Sequence, residues 1–238
     1  MKRICLWSSP RNISTALMYS FAQRSDTKVI DEPLYAHYLA KTNADHPGRE
    51  EILADMENDG EKVVENIILG EYSEKVIFMK QMTHHLILMD ESFLDKVTNV
   101  FLIRDPKQLI SSLAQVIPVV NMNATGIKRQ HELFHKLSDE NNRPIVIDSG
   151  EILKNPELAL SQLCNALDIP FEKSMLYWQP GPIEEDGIWA KHWYENVHRS
   201  SGFEKQHTSS RELPENLIEL YNESLPLYKN LYNHSIKV

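Results

Sequence analysis

The sequence predicts a three-layer α/β/α fold around a mainly parallel central sheet of about five strands. Short apolar or β-branched segments recur along the chain, and each is followed by a segment whose apolar residues have helical spacing. These short segments are apolar throughout, which is typical of strands that helices cover on both faces. A chain of 238 residues can bury a substantial core, and we expect one domain over residues 1–238.

Five segments are predicted strands: RICLW (3–7), KVID (28–31), KVIFMK (75–80), NVFLIR (99–104) and RPIVID (143–148). Two helix starts are marked by an N-cap residue before a proline, Asp105–Pro106 and Asn155–Pro156. In the second of these helices, helical spacing predicts a core-facing set: Leu160, Leu163, Cys164 and Leu167.

Three segments lie outside this strand–helix alternation. Residues 43–74 are polar and rich in glutamate, and they predict one or two helices inserted between strands. Residues 177–203 are rich in Trp, Pro and Gly and predict an ordered loop. Residues 214–232 have the apolar spacing of a final amphipathic helix.

Charge and cysteine content narrow the classes of function. Twenty-five basic residues against 34 acidic ones give a net charge of −9, which argues against nucleic-acid binding and against a basic membrane-surface protein. Cys5 and Cys164 are too few for a disulfide framework or a structural zinc site, so we expect two buried thiols in a reducing compartment. No run is long enough for a membrane span or a signal-peptide core, and we expect a cytoplasmic protein.

The junction between the first predicted strand and the first helix has the composition of an anion-binding site. The sequence SSPRNISTA places Arg11, Ser14 and Thr15 where unpaired N–H groups and the helix dipole attract anions. The alternative is a plain capped helix start with Ser8 and Ser9 in a turn. The first glycine is Gly48, so this junction holds neither a Walker loop nor a dinucleotide fingerprint.

A second junction repeats the pattern. In RDPKQLISS, Arg104 ends a strand and Ser112 follows eight residues later, two turns into a helix. A strand-end arginine beside a helix N-terminus suits an anion. The alternative is an ion pair between Arg104 and Asp105.

Together the two junctions resemble the nucleotide-binding motifs of the sulfotransferases. SSPRNISTA resembles their 5′-phosphosulfate loop, T-Y-P-K-S-G-T-T-W, and RDPKQLISS resembles their 3′-phosphate motif, R-N-P-K-D-x-x-x-S, in the same order along the chain. The resemblance covers residues 3–170 and implies a P-loop NTPase-like topology that binds 3′-phosphoadenosine 5′-phosphosulfate (PAPS) without a metal. The implied donor-binding residues are Ser9, Arg11, Asn12, Ile13, Ser14, Thr15, Arg104 and Ser112. Ile13 stands where the family loop has glycine, which puts the backbone path of the loop in question.

The resemblance also implies which groups act on the acceptor. In small, glycine-poor sulfotransferase-like proteins the acid of an EP pair after the second strand is implicated as the base, and Glu32 occupies that place. The alternative for Glu32 is an exposed turn acid. His84 is the second candidate base, after Lys80 on the third strand, and a neutral imidazole can accept a proton from a hydroxyl. Arg11 is expected to stabilise the departing phosphate.

The segment WYENVHRSSGF (193–203) resembles the loop that closes over adenosine 3′-phosphate in this family. That resemblance implies donors at Ser201 and Gly202, beside Ser200, with Trp193 or Phe203 near the adenine. The alternative is an ordered connector.

The resemblance therefore implies an enzyme that moves a sulfuryl group from PAPS to a hydroxyl or amine of a small-molecule or carbohydrate acceptor. A first alternative is a non-catalytic nucleotide- or phosphoester-binding protein on the same fold. A second is a zinc hydrolase, because HELFH (131–135) fits H-E-x-x-H through His131, Glu132 and His135. We expect no nucleic-acid or membrane partner, and a homo-oligomer is compatible with the sequence.

Overall fold

A parallel sheet runs through the computed structural model, which describes residues 1–42, 44–139, 143–204 and 212–238. Within these residues the sheet has six strands: β1 Lys2–Ser8, β2 Thr27–Asp31, β3 Val76–Met82, β4 Thr98–Ile103, β5 Ile145–Asp148 and β6 Ser235–Ile236. Their spatial order is β2-β3-β1-β4-β5-β6, and every neighbouring pair is parallel.

Helices connect and cover the strands. They are α1 Ser14–Ala22, α2 Tyr35–Thr42, α3 Arg49–Asp55, α4 Gly60–Val63, α5 Pro106–Leu113, α6 Met122–Thr125, α7 Ile127–Leu137, α8 Ser149–Lys154, α9 Pro156–Ala166, α10 Ala190–Trp193, α11 Glu195–Arg199 and α12 Ile218–Asn233. A π-helical turn follows α4 at Val64–Ile68, and 3₁₀ turns lie at Thr83–His85, Ser92–Lys96, Lys173–Leu176 and Glu215–Leu217.

The central strand β1 shows why the predicted strands are apolar throughout. Ile4 and Leu6 pack into the core on one face of the sheet, and Cys5 and Trp7 pack into the core on the other. All four are fully buried. Since helices cover both faces, no position of the strand has to be polar.

The strand order creates a crevice between β1 and β4. The chain leaves β1 for β2 on one side and later crosses from β3 to β4 on the other side of β1. Loops that leave two neighbouring strands in opposite directions open a ligand-binding crevice at the carboxyl ends of those strands. The loops that follow β1 and β4 carry Arg11 and Arg104.

All five predicted strands form, each within two residues of its predicted bounds. The two-residue strand β6 was not predicted because it is too short to have a pattern. The predicted insertion at 43–74 contains α3 and α4, with Asn43 outside the described residues. The prediction of a loop over 177–203 was incomplete, because two short helices, α10 and α11, interrupt it.

The local predictions for helix starts and core residues are confirmed. Asp105 accepts a hydrogen bond from the N–H of Gln108, and Asn155 accepts one from the N–H of Leu158, each at 3.2 Å. The predicted apolar face of α9 is buried at all four positions, Leu160, Leu163, Cys164 and Leu167.

Cys5 and Cys164 are both buried free thiols. Burial raises the pKa of the Cys164 thiol to about 11. Among the helices of the described residues, none combines the length and the apolar composition that crossing a membrane requires.

Asp148 links the end of β5 to the packing of α12, and it makes folding stability depend on pH. Its Oδ1 accepts a hydrogen bond from the N–H of Gly150 at 2.7 Å, and the hydroxyl of Tyr228 donates to Oδ2 at 3.2 Å. Burial nevertheless raises the pKa of Asp148 from 3.8 to about 6, and the hydrogen bonds oppose this only in part.

We predict that Asp148→Asn becomes more stable relative to the wild type as the pH rises from about 4 to about 6. The folded wild type holds this proton more tightly than the unfolded chain, so the residue's contribution to the free energy of unfolding falls over that window. The fall is at most about 3 kcal/mol. Urea denaturation of both proteins between pH 4 and pH 7 measures the difference. A difference that does not change with pH would contradict the assignment.

Tyr228→Phe removes a hydrogen-bond donor to the carboxylate and should shift this pH window to higher pH.

Candidate functional site

The loops after β1 and β4 are in direct contact. The Nη1 of Arg104 donates a hydrogen bond to the backbone oxygen of Arg11. In return, the Nε of Arg11 donates to the Oγ of Ser112 at 3.2 Å. The side chain of Asn12 donates to the backbone oxygen of Leu102 at 3.1 Å, which ties the loop to the end of β4. The two anion-binding junctions predicted from the sequence are therefore in direct contact.

The path of this loop explains why it needs no glycine at position 13. Ile13 has φ −85° and ψ 25°, which an L-residue can adopt, and its side chain packs against the core. The left-handed position is Arg11, with φ 55°. Helix α1 begins without a side-chain cap, and Asn12 Oδ1 accepts from the N–H of Ile13 at 2.9 Å.

A cleft of about 930 Å³ opens in front of this loop. Arg11, Asn12, Ser14 and Thr15 line it at the start of α1. A cavity of this size is in the upper part of the range for small-molecule and cofactor sites. The N-terminus of α1 therefore faces the cleft with two hydroxyl groups and a guanidinium beside it.

Four of the donor-binding residues predicted at the two junctions do not line the cleft: Ser9, Ile13, Arg104 and Ser112. Ser9 is fully buried, and its hydroxyl donates a hydrogen bond to Gln130 Oε1 at 3.1 Å. This hydrogen bond supports the loop on its buried side. Ser112 is largely buried and contacts Arg11. Asp105 caps α5 while Arg104 reaches back to Arg11.

The segment at Ser201–Gly202 packs against Tyr177 and Trp178 rather than lining the cleft. The N–H of Trp178 donates to the backbone oxygen of Ser201 at 3.1 Å, and Gly202 pairs with Tyr177 in an isolated β-bridge. A Cβ atom at Gly202 would lie 2.8 Å from the backbone oxygen of Leu176, so this close approach requires glycine. Of the two aromatic residues predicted near an adenine, Trp193 lines the cleft and Phe203 packs edge-on against Trp178.

Glu32 is buried at the wall of the cleft, so the alternative of an exposed turn acid is wrong. The ammonium group of Lys80 donates to Glu32 Oε1 and, at 2.9 Å, to Asp31 Oδ1. It also contacts the hydroxyl oxygen of Tyr194 at 2.6 Å. That hydroxyl donates to Asp31 Oδ2 at 2.7 Å and accepts from Trp189 Nε1 at 3.1 Å.

This cluster holds two carboxylates and one ammonium group away from water. Burial raises the pKa of Glu32, the charge of Asp31 raises it further, and Lys80 opposes both effects. Burial alone would lower the pKa of Lys80, but the two carboxylates reverse this and raise it. Glu32 is therefore oriented by a cation yet keeps a higher proton affinity than an exposed glutamate.

Two neutral imidazoles lie beside Glu32. Burial lowers the pKa of His84 to about 4, and burial together with His84 lowers the pKa of His85 well below its usual value. His85 is stacked between Tyr35 and Tyr38, with ring centroids 4.9 and 4.8 Å away. The Nδ1 of His85 lies 3.8 Å from Glu32 Oε2. The Nδ1 atoms of both histidines are buried without a hydrogen-bond partner among the described residues.

Sequence reasoning missed two members of this cluster, Asp31 and Tyr194. Asp31 had a signal, because it directly precedes Glu32 at the end of a strand. No signal in the sequence pointed to Tyr194, because it lies 114 residues from Lys80, which it contacts.

The H-E-x-x-H residues lie on α7. The Nε2 atoms of His131 and His135 are 3.0 Å apart, and His135 Nε2 is 2.9 Å from Asn230 Oδ1. Glu132 lies 3.9 Å from Arg129 as an ion pair. Within the described part of the chain, no group of three or more His, Cys, Asp or Glu residues is arranged to hold a metal ion.

Comparison with known proteins places this geometry in a family. The family model described as a sulfotransferase domain matches residues 1–235. Two Arabidopsis thaliana proteins, named branched-chain-amino-acid aminotransferase-like proteins 1 and 2, are 42% identical over 229 residues and 40% identical over 235 residues. These matches cover 96% and 98% of this chain but 41% and 42% of the relatives, so the chain spans about two-fifths of their length.

A solved structure shows the same fold. The sulfotransferase domain from the Synechococcus PCC 7002 olefin synthase superposes with a TM-score of 0.63 at 14% identity, covering 99% of this chain and 96% of that domain. The six-stranded parallel sheet and the family match over residues 1–235 agree with the two motifs at the ends of β1 and β4. The chain thus belongs to the sulfotransferase family.

Proposed function

We propose that this protein transfers the sulfuryl group of PAPS to an acceptor hydroxyl or amine. The contact between the loops of Arg11 and Arg104 in front of α1 carries the proposal, because one doubly phosphorylated adenosine can bridge both loops. Membership of the sulfotransferase family supports it.

The donor binds by its two phosphate ends. Arg11, the hydroxyls of Ser14 and Thr15, and the first N–H groups of α1 hold the 5′-phosphosulfate. We assign the 3′-phosphate to Arg104 and Ser112, which contact Arg11 from outside the lining of the cleft, and this phosphate distinguishes the donor from ATP. The guanidinium groups and the helix N-terminus supply the positive charge, so no metal is invoked.

The acceptor reacts at Glu32. Glu32 Oε2, the carboxylate oxygen opposite the one that Lys80 holds, takes the proton of the acceptor hydroxyl while the acceptor oxygen forms a bond to sulfur. The bond between sulfur and the 5′-phosphate oxygen breaks, and the departing adenosine 3′,5′-bisphosphate keeps the electron pair. Arg11 stabilises the charge that develops on this leaving phosphate.

Lys80 fixes the carboxylate for this step. It holds Glu32 Oε1, while Asp31 and Tyr194 hold Lys80 from the other side. His84 is the alternative base, but its pKa of about 4 makes it the weaker proton acceptor at neutral pH.

The donor assignment predicts preferential stabilisation by adenosine 3′,5′-bisphosphate. At 100 times its dissociation constant, the bisphosphate should stabilise the protein by about 2.7 kcal/mol, and AMP or ATP at the same concentration by less. Arg104→Ala should abolish the difference between bisphosphate and AMP, because the 3′-phosphate loses its guanidinium partner. Thermal denaturation with each nucleotide measures this.

Arg143→Ala, which removes an exposed arginine outside the cleft, is the control and should keep the preference. Equal shifts for all three nucleotides would rule out the 3′-phosphate site.

The base assignment predicts that Glu32→Gln lowers kcat by a factor of about 10² to 10⁴. The glutamine keeps the shape and the contact with Lys80 but accepts no proton. Steady-state sulfuryl transfer, with bisphosphate binding as the test of folding, measures the effect. Glu151→Gln is the matched control, since Glu151 is also buried and paired with a lysine, at 3.8 Å, but does not line the cleft. Full activity in Glu32→Gln would show that the base lies elsewhere.

The pH profile separates the two candidate bases. Because burial raises the pKa of Glu32, kcat/KM should fall as the pH drops through a value above the usual range of a glutamate. With His84 as the base, the fall would lie near pH 4 instead. His84→Asn should leave the higher acid limb in place if Glu32 is the base.

The two alternatives give different results in the same assays. A non-catalytic binding protein would keep the bisphosphate preference but transfer no sulfuryl group. A zinc hydrolase would lose its activity on treatment with a chelator and in His135→Asn, neither of which should affect sulfuryl transfer.

A further inference from the structure

The cleft extends beyond Glu32 between two apolar segments. One segment follows the end of β3 and lines the cleft with Met82, Leu86 and Ile87. The other follows α5 and has the sequence VIPVV (116–120), of which residues 116–119 line the cleft. Charged and amide side chains line other parts of the cleft, among them Asp45, Asn121 and Lys128, whereas these two segments present apolar side chains to it.

Both segments hold apolar side chains out in water. Val119 is 69% exposed and Val116 is 40% exposed. Leu88, which directly follows the cleft-lining Ile87, is 80% exposed. Leu88 itself does not line the cleft, whereas Val116 and Val119 do, and exposed apolar side chains in a cleft are typical of a site that a ligand covers.

The backbone at Leu88 is held in an unfavourable conformation. Its φ of 48° lies in the left-handed region, which a leucine rarely adopts. The preceding residue is anchored, because Ile87 O is 2.9 Å from His37 Nε2, while Gly60 N is 3.1 Å from His37 Nδ1. The surrounding structure therefore holds an exposed apolar side chain at the rim, next to the cleft-lining Ile87.

The aromatic groups near Glu32 do not form an open cage for a cation. The rings of Tyr35 and Tyr38 cover the two faces of His85, so each gives one face to that imidazole. A cationic ligand needs open ring faces around it. The stacked rings instead fix His85 Nδ1 at 3.8 Å from Glu32 Oε2, a separation at which one oxygen atom can hydrogen-bond to both.

We propose that the acceptor is an alcohol with an extended apolar body, whose hydroxyl binds between Glu32 Oε2 and His85 Nδ1 and whose body lies between the segment at Leu86–Leu88 and residues 116–119. The inference rests on the proposed sulfuryl transfer and deepens it. Binding brings Leu88 and Val119 out of water, so both residues select for the apolar body of the acceptor. His85 positions the hydroxyl, and Glu32 takes its proton.

A series of ω-phenylalkanols, from benzyl alcohol to 6-phenyl-1-hexanol, tests this acceptor class with PAPS as donor. Each added methylene should raise kcat/KM about three- to fourfold until the chain outgrows the cleft. Choline and methyl glucoside serve as the cationic and carbohydrate competitors. A flat series, or a tenfold preference for either competitor, would overturn the proposal.

Two rim variants and a matched control locate the apolar contact. Leu88→Asn tolerates the left-handed backbone, so it should fold, and it should raise KM for 6-phenyl-1-hexanol about tenfold while leaving that for benzyl alcohol unchanged. Val119→Asn should act in the same direction. Leu158→Asn replaces a leucine that is 42% exposed on α9, away from the cleft, and should change neither value. Equal effects of Leu88→Asn and Leu158→Asn would overturn the assignment of the rim.

A binding measurement separates failure of this inference from failure of the proposed function. If no acceptor is turned over, sulfuryl transfer as proposed is wrong. Calorimetric titration of 6-phenyl-1-hexanol into the protein with adenosine 3′,5′-bisphosphate then tests the apolar acceptor site independently of catalysis. Saturable binding that Leu88→Asn weakens supports the apolar site, and absence of binding overturns it.

Discussion

The ammonium group of Lys80 is the interaction on which the candidate site depends. It comes from a strand in the middle of the sheet and contacts two carboxylates on the neighbouring strand and its loop, as well as a tyrosine from the region after residue 177. Since a buried ion is stable only with partners, this one group fixes the relative positions of three parts of the chain. Burial, together with the charge of Asp31, raises the pKa of Glu32 at the wall of the cleft, although Lys80 opposes both effects.

At the end of the cleft assigned to the donor, the strand order positions the side chains, rather than a buried ion. Loops after β1 and β4 open at the point where the strand order reverses, so two arginines that are 93 residues apart meet. The chain reaches this geometry without a glycine in the loop. Arg11 takes the left-handed conformation, and Ile13 anchors the loop in the core. A β-branched residue fits at position 13 because the left-handed position of this loop is Arg11.

Local sequence patterns were sufficient to predict most of the sheet, the caps of α5 and α9, and the proximity of the two anion-binding junctions. Each of these depends on spacing within about ten residues or on the rule that parallel strands end at one edge. The strand β6 and the short helices α10 and α11 were missed, because two to five residues are too few for a periodic pattern. Tyr194 and the stacking of His85 between two tyrosines could not be predicted, because they depend on contacts between distant segments. Burial also separates Glu32 from His84, the second candidate base, because it raises the pKa of the carboxyl group and lowers that of the imidazole.

His37 joins the inserted helices to the cleft through a single ring. One ring nitrogen faces the backbone N–H that starts α4, and the other faces the backbone oxygen of Ile87. There is no space for a side chain at Gly60, where a Cβ atom would lie 2.9 Å from this imidazole. This ring therefore links the start of α4 to the backbone of Ile87, a residue that lines the cleft. Variation in the outer helices can in this way reshape the entrance to the cleft without any change in the residues that line it.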